Sequence, residues 1–210
     1  SYAGILLGVD RADESVAILE KFIPKPEEEF NYYGIYAAAN FSAKRFQTAL
    51  DTYKILMDMR PDLIDFQYSL AICYRKLKMW DKAIELYTNL QSQFPDDGEP
   101  WKQMGLMEYE RNNFERATNE LTIAKEKFKV SEDEGGVDIS LFLIDEVEWI
   151  YAKSFMGKQH FEISCTMLDN LRKQNDMLRY SFDTAICYRE SKRFDKANTL
   201  FTELIHQNPE

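Results

Sequence analysis

The sequence contains few of the residues that catalytic and metal sites use. Its 210 residues include only two histidines, His160 and His206, and three cysteines. Neither histidine has a cysteine or a second histidine at metal-ligand spacing, and no histidine-glutamate zinc motif occurs. Gly4 and Gly8 are not followed by the Gly-Lys-Ser/Thr of a phosphate loop, and no serine lies in a nucleophile elbow. These absences predict a protein that is not an enzyme and that holds no cofactor and no metal.

Long apolar runs and an excess of positive charge are also missing. No stretch of about 18 apolar residues occurs, so no segment is predicted to insert into a membrane. The chain has 26 Lys and Arg residues against 36 Asp and Glu residues, for a formal net charge of −10 at pH 7. Because this charge would repel phosphates, it argues against nucleic acid and favours a basic or amphipathic protein partner.

The N-terminal segment predicts a partial helical hairpin. The sequence starts at Ser1 and not at a methionine, so we expect the natural N-terminus to lie upstream. Residues 1–8 are apolar and suit the end of a first helix, and Asp13 is predicted to cap a second one. The apolar stripe of that second helix consists of Val16, Leu19, Phe22 and Ile23.

What the sequence does contain is an internal repeat. Ala71-Ile72-Cys73-Tyr74-Arg75 recurs 114 residues later as Ala185-Ile186-Cys187-Tyr188-Arg189. Five pairs of an aromatic residue and a small residue three places on set the register of the repeat, at spacings of 34, 34, 47 and 33. The pairs are Phe46/Ala49, Trp80/Ala83, Phe114/Ala117, Phe161/Ser164 and Phe194/Ala197. A period in this range indicates a solenoid, in which each unit buries its apolar face against its neighbours.

Each repeat is predicted to form two helices that cross closely. Small residues are needed where the helices touch, and larger ones fill the space towards the next hairpin. The predicted contacts place Ala37, Ala71, Gly105, Ala152 and Ala185 against Ala49, Ala83, Ala117, Ser164 and Ala197. The larger residues are Tyr53, Tyr87, Leu121, Leu168 and Phe201, and Pro61, Pro95 and Pro209 close three of the repeats.

These residues resemble the tetratricopeptide repeat family. Residues 98–131 carry Trp101, Gly105, Ala117 and Ala124 at the spacing of that family. The departures are Lys129 and Asp176 in place of the closing proline and Ser164 in place of the small alanine. The resemblance implies an all-α fold, an antiparallel helix-hairpin solenoid that forms a right-handed superhelix. We expect a single domain over 1–210, with a partial repeat at 1–29 and repeats at 30–63, 64–97, 98–131, 132–177 (with an acidic insertion) and 178–210.

The resemblance also implies a binding surface, because the first helices of such hairpins line a concave groove. It implies a non-catalytic protein–protein interaction scaffold, an adaptor or chaperone-like protein that binds a peptide or helix of its partner. The residues expected to line the groove are Tyr68, Ile72, Arg75, Lys102, Leu106, Tyr109, Trp149, Lys153, Phe182, Ile186 and Arg189.

The family also contains other functional classes. The clamp that grips the C-terminal carboxylate of heat-shock chaperones is absent, because its places hold Gly34, Ala38, Ser69, Glu99 and Gln103. One alternative is a chaperone of type III secretion translocators, which residues 32–125 resemble in repeat pattern. Another is a structural spacer or oligomerisation segment of a larger repeat protein.

The insertion in the repeat at 132–177 is acidic. Between Val130 and Glu148 there are seven acidic residues and no Lys or Arg, without the spacing of a calcium loop. This segment predicts a flexible loop before a long helix from Val137 to Met156, or an acidic lip for a basic partner.

The three cysteines are expected to be buried and unpaired, which favours a reducing compartment and a cytoplasmic location.

Overall fold

Helices make up nearly all of the described chain. The computed structural model describes residues 2–8, 11–22, 24–25, 28–133, 139–175 and 177–207, and within these ranges the side chains at 2, 129–133 and 139–144 are not described. These ranges contain twelve helices and no strand. The helices are α1 (Tyr2–Gly8), α2 (Ala12–Leu19), α3 (Glu29–Ser42), α4 (Phe46–Met59), α5 (Ile64–Lys76), α6 (Trp80–Gln93), α7 (Glu99–Glu110), α8 (Phe114–Asp133), α9 (Ile139–Gly157), α10 (Phe161–Gln174), α11 (Leu178–Glu190) and α12 (Phe194–Gln207).

The residues group into two compact units, unit 1 (Ser1–Leu90) and unit 2 (Gln91–Glu210), with the boundary inside α6. In unit 1, α1 packs on α2 and α3 packs on α4, and α2 and α4 each contact the next first helix. In unit 2, α7 pairs with α8, α9 with α10 and α11 with α12, and α8 and α10 contact the following first helix. The expected single domain and its repeat boundaries stay predictions. Within the described ranges, no helix is both long enough and apolar enough to cross a membrane.

The predicted small residues lie where the helices of each hairpin cross. Ala37, Ala71, Ala152 and Ala185 on the first helices are fully buried, as are their counterparts Ala49, Ala83 and Ser164 on the second helices. At Gly105 the backbone of α7 lies close to α8. A Cβ atom there would lie 2.6 Å from Leu121 Cγ and 3.3 Å from the Ala117 carbonyl oxygen. Ser164 takes this place in the fifth hairpin, where α9 and α10 pack against each other.

A sixth crossing pair lies in the N-terminal hairpin and was not predicted. Ala3 on α1 and Ser15 on α2 are buried, and the Ser15 hydroxyl donates a hydrogen bond to the Ala3 carbonyl at 2.9 Å. These two residues are 12 positions apart, as are Ala37 and Ala49, and they lie 34 residues before them. The N-terminal segment is therefore a hairpin in the same register. The second helix of this hairpin starts at Ala12 with Arg11 at the N-cap, so the predicted Asp13 cap is wrong. The helix ends at Leu19, and Phe22 of the predicted apolar stripe therefore lies beyond it.

Every later hairpin turns through one residue with a left-handed backbone. The φ angles are 60° at Lys44, 58° at Lys78, 62° at Asn112, 62° at Gln159 and 62° at Lys192. Around Lys78 the turn is closed by two hydrogen bonds, from the Lys78 amide to the Arg75 carbonyl and from the Met79 amide to the Tyr74 carbonyl, each 2.9 Å. This is the pattern of a Schellman motif, in which the left-handed residue is usually glycine.

The turn conformation predicts that Lys78→Gly stabilises the protein. A left-handed backbone is strained for lysine and not for glycine, and the Lys78 side chain is exposed, so we expect a gain of about 0.5–1 kcal/mol in the free energy of unfolding. Urea unfolding followed by circular dichroism measures it. Asn112→Gly is the control, because asparagine tolerates this conformation and should gain less. A loss of stability in Lys78→Gly would contradict the assignment of strain.

The cysteines depart from expectation. Cys165 on α10 and Cys187 on α11 form a disulfide, with their Cα atoms 5.5 Å apart. The expectation that all three cysteines are unpaired is therefore wrong, because α11 lies directly against α10 and brings the two side chains together. Cys73 is buried and unpaired as predicted.

The long helix after the insertion runs from Ile139 to Gly157, close to the prediction, whereas residues 134–138 of the predicted acidic loop lie outside the described ranges.

Candidate functional site

The eleven residues predicted to line the groove all lie on first helices, and they divide between the two units. Tyr68, Ile72 and Arg75 lie on α5 in unit 1, and the other eight lie on α7, α9 and α11 in unit 2. Their exposure differs widely. Phe182 and Arg189 are exposed, Arg75 and Lys102 are buried, and the remaining seven are half-buried.

Arg75 does not offer its guanidinium group to solvent. Only 4% of the residue is accessible, and Tyr68 and Ile72 on the same helix are half-buried. The predicted aromatic–arginine surface of unit 1 therefore lacks its exposed charge. A guanidinium in this position contributes to the packing of α5 and not to an open face.

Trp149 on α9 is the centre of the polar arrangement in unit 2. Its indole Nε1 donates a hydrogen bond to Asp183 Oδ2 on α11 at 2.7 Å. The Lys153 Nζ and the Arg179 Cζ each lie 4.7 Å from the centre of a Trp149 ring, which is the range of a cation–π contact. Lys153 Nζ also lies 3.4 Å from Asp183 Oδ2. We call these four residues, Trp149, Lys153, Arg179 and Asp183, the tryptophan cluster.

The tryptophan cluster fixes the indole in one orientation. Asp183 is buried, so its hydrogen bond and ion pair are shielded from water and are stronger than they would be on an open surface. Tyr180 packs beside the indole with ring centres 6.4 Å apart, and the Arg179 Nη2 donates to its hydroxyl at 3.0 Å. A large aromatic side chain held in place by its neighbours can bind an apolar group of another chain with little loss of its own freedom.

Lys102 has a structural role within unit 2. Its Nζ lies 2.9 Å from Glu99 on its own helix and 3.2 Å from Glu146 on α9, and the side chain is buried. Lys102 thus ties α7 to α9. Tyr109, farther along α7, packs on Phe114, and burial raises the pKa of its hydroxyl with a further contribution from the charge of Asp183. That effect places Tyr109 within the electrostatic field of the tryptophan cluster.

The last hairpin carries the most exposed of the predicted residues. Phe182 is 51% exposed and its ring meets Phe201 edge-on at 6.1 Å between ring centres. Arg189 is exposed and pairs with the neighbouring Glu190 at 2.9 Å. Phe182 is therefore an apolar side chain held on one side by its own hairpin and open on the other.

The sequence analysis named Trp149 and Lys153 of the tryptophan cluster and did not name Asp183. Trp149 and Lys153 were predicted as separate groove residues, and the structure brings them together. A signal for Asp183 was its position four residues after Arg179, on the same face of α11. Among the described residues there is no group of three or more His, Cys, Asp or Glu side chains placed to hold a metal ion.

The acidic charge of the chain is concentrated in unit 2. Residues 1–90 contain 11 basic and 13 acidic residues, and residues 91–210 contain 15 and 23. The formal net charges are therefore −2 and −8, and they sum to the −10 of the whole chain. An approaching cationic segment would be attracted to unit 2 more strongly than to unit 1.

Two family models, both described as tetratricopeptide repeat, match the sequence, one at residues 40–106 and the other at residues 181–210. No curated protein sequence matches the chain. Solved structures with the same fold have low sequence identity.

PilF of Pseudomonas aeruginosa superimposes with a TM-score of 0.67 at 13% identity, over 86% of this chain and 77% of PilF. A thermophilic TPR protein of Thermus thermophilus gives a TM-score of 0.64 at 15% identity, over 86% of this chain and 92% of that protein. Yeast Tom70 gives a TM-score of 0.65 at 15% identity over 93% of this chain, which spans 42% of the Tom70 chain. At these identities the likeness shows the fold, and it confirms the predicted all-α helix-hairpin solenoid.

Proposed function

The chain is a tetratricopeptide repeat protein, and we propose on that premise that it is a non-catalytic scaffold for protein–protein interaction. The proposed binding surface is the first-helix face of unit 2, with the tryptophan cluster and Phe182 as its main contacts. The proposed ligand is a peptide or helix of a partner protein, amphipathic and carrying basic residues.

The observation that carries this proposal is the anchored indole of Trp149. Binding energy at protein interfaces is concentrated in a few aromatic residues and arginines that are already held in position. Trp149 is held by Asp183, Lys153 and Arg179. Phe182 on α11 adds a second aromatic side chain on a first helix of unit 2, and it is 51% exposed.

The charge of unit 2 supports a basic partner. Its net charge of −8 attracts cationic segments, and salt weakens such attraction when the charges are exposed. A partner segment of this type would place apolar residues on Trp149 and Phe182 and basic residues towards the surrounding acids. Its affinity would fall as the salt concentration rises.

Two phenylalanines of the last hairpin make a matched test. Phe182 on the first helix is 51% exposed and Phe194 on the second helix is 58% exposed. The wild-type chain serves as bait in a native lysate, the partner is identified by mass spectrometry, and its affinity for each variant is then measured by calorimetry. We expect Trp149→Ala and Phe182→Ala each to weaken binding about tenfold, a loss of about 1.4 kcal/mol. Phe194→Ala should bind as the wild type does. If all three variants bound the partner with the affinity of the wild type, the proposed surface would be refuted.

A second candidate function, a spacer whose end stacks on another helical hairpin, is favoured by the outer face of α12. Leu56, Leu90 and Leu171 are fully buried on α4, α6 and α10, whereas the equivalent Leu204 is half-buried and Ile205 is 67% exposed. Light scattering on the same proteins separates the two functions. A molar mass that rises with concentration, together with no captured partner, would favour the spacer.

A further inference from the structure

A cleft in unit 2 leads to the Cys165–Cys187 disulfide. Its volume is about 480 Å³, and it lies between the turn that joins α9 to α10 and the turn that joins α11 to α12. We call it the disulfide cleft, and its lining includes His160, Phe161, Glu162, Ser191 and Arg193. The residues of two turns form it, whereas the surface proposed for partner binding lies on the first helices.

One layer of atoms separates the disulfide cleft from the bond. At most 1% of either cysteine is accessible. Ser191 lines the cleft, and its hydroxyl oxygen lies 3.8 Å from Cys165 Sγ. Phe161 also lines it, and its carbonyl oxygen lies 3.8 Å from Cys187 Sγ. Rotation of the small Ser191 side chain therefore uncovers Cys165 Sγ from the cleft, and no helix has to unfold.

The disulfide and the tryptophan cluster share a face of α11. Arg179, Asp183 and Cys187 follow one another at intervals of four residues, so they lie along one side of this helix. Asp183 accepts the hydrogen bond of the Trp149 indole at 2.7 Å, and Arg179 lies over the indole. Trp149 also packs against the buried cluster that contains both cysteines. The bond and the indole thus belong to one continuous part of the core.

Breaking the disulfide moves the helices that it joins. Bonded sulfur atoms are about 2 Å apart, whereas nonbonded heavy atoms are about 3.5–4 Å apart, so two thiols need more room than one bond. The neighbours Ala152, Leu168 and Ala185 are buried, and a close-packed core has no free space for this separation. The sulfurs therefore separate by a shift of α11 against α10, which carries Asp183 away from Trp149.

We propose that the Cys165–Cys187 disulfide is a redox switch for the tryptophan cluster and is reduced by a small thiol, RSH, that reaches it through the disulfide cleft. The thiolate RS⁻ attacks Cys165 Sγ and forms a mixed disulfide, while the electron pair of the broken bond goes to Cys187 Sγ, which takes up a proton. A second thiolate attacks the sulfur of the bound RS group, which releases RS–SR and leaves Cys165 to be protonated. The protein gains two electrons and two protons in all.

The oxidised protein is the form with the ordered indole. Reduction loosens the tryptophan cluster, and the partner surface loses its anchored aromatic side chain. This effect on partner binding rests on the proposed function, whereas the effect of reduction on Trp149 does not.

The rate of reduction in urea tests the cleft as the route. Glutathione is the probe, and the thiols formed are blocked with iodoacetamide and counted by mass spectrometry. Because the cleft route needs no unfolding, we expect the rate constant to change by less than about twofold between 0 and 1 M urea, whereas reduction of the unfolded chain would accelerate by about fivefold or more.

Two serines of α11 and the residue after it provide the matched variants. Ser191→Ala should react about threefold faster than the wild type, because it uncovers Cys165 Sγ. Ser181→Ala, ten residues earlier in the chain, should react as the wild type does. A fivefold increase with urea, or equal rates in Ser191→Ala and the wild type, would overturn the cleft as the route.

Hydrogen exchange of the indole N–H groups tests the switch. The chain has three tryptophans, and Trp149→Phe and Trp101→Phe identify two of the three indole signals in the ¹⁵N-labelled protein. On reduction with glutathione we expect exchange at Trp149 to become about tenfold faster and exchange at Trp101, on α7, to change by less than about twofold. In Cys165→Ala/Cys187→Ala, glutathione should change neither signal.

A uniform loss of stability would act on both indoles, so Trp101 separates a local change from a general one. An equal increase at Trp101, or a change of less than twofold at Trp149, would overturn the switch. Neither measurement uses a partner. A negative result therefore rejects the switch and leaves the proposed function in place, whereas the affinity measurements on Trp149→Ala and Phe182→Ala test that function alone.

Discussion

Reduction of the Cys165–Cys187 disulfide is expected to lower the free energy of unfolding by about 3 kcal/mol. The two cysteines are 22 residues apart, and the bond closes a loop that would otherwise be free in the unfolded chain. It also joins α10 to α11, so it stabilises the contact between two successive hairpins of unit 2. For a chain of this size the loss corresponds to a decrease of about 6–12 °C in the melting temperature, which calorimetry with and without dithiothreitol measures.

Cysteine variants provide the controls for this prediction. In Cys165→Ala/Cys187→Ala the melting temperature should no longer respond to dithiothreitol. Cys73→Ala should keep the full response, because Cys73 lies in unit 1 and takes no part in the bond. Burial raises the pKa of the Cys73 thiol to about 12, so the folded protein should not react with a thiol reagent at neutral pH. Three reactive thiols after unfolding without reductant would contradict the disulfide.

Two helical glycines are expected to respond to alanine with opposite signs. Gly105→Ala should lower the free energy of unfolding by about 1–3 kcal/mol, because the new Cβ atom would lie 2.6 Å from Leu121 Cγ and 2.8 Å from its Cδ2. Gly34→Ala should raise it by about 0.5–1 kcal/mol, because alanine favours the helix and the added carbon meets nothing within 4 Å. The two variants add the same atom to a helix, so their difference isolates the effect of packing.

Urea unfolding of both glycine variants beside the wild type checks the pair. Circular dichroism gives the midpoint and the slope, and an unchanged slope shows that the unfolded state is the same in each protein. If both glycine variants gained stability, the close approach of α7 and α8 at Gly105 would be wrong. If both lost stability, the open space beside Gly34 would be wrong.

The crossing residues show how much of the fold could be predicted. Two helices that touch at a single point accept only small side chains there, so Ala, Gly and Ser at a fixed spacing mark the crossing in the sequence itself. The same rule would have found the N-terminal hairpin, since Ala3 and Ser15 lie 34 residues before Ala37 and Ala49. That pair lacks the aromatic residue three places before the small one, since Ala12 stands there, and the pattern that marks the other repeats therefore does not reveal it.

The exposure of the proposed binding residues was less predictable than the fold. The position of a residue on a first helix predicts which face it occupies, and all eleven predicted residues lie on first helices. It does not predict whether a neighbouring side chain covers it. Arg75 and Arg189 occupy equivalent places in two repeats, yet Arg75 is buried and Arg189 is exposed.

The sequence by itself determined the helices, their pairing and the turns between them, because these depend on contacts among residues close together in the chain and on a pattern repeated five times. The tertiary structure alone decided two further features. It brought Cys165 to Cys187 and Asp183 to Trp149. Each depends on contact between different helices. A repeating pattern does not specify such contacts, because equivalent positions in successive repeats meet different neighbours.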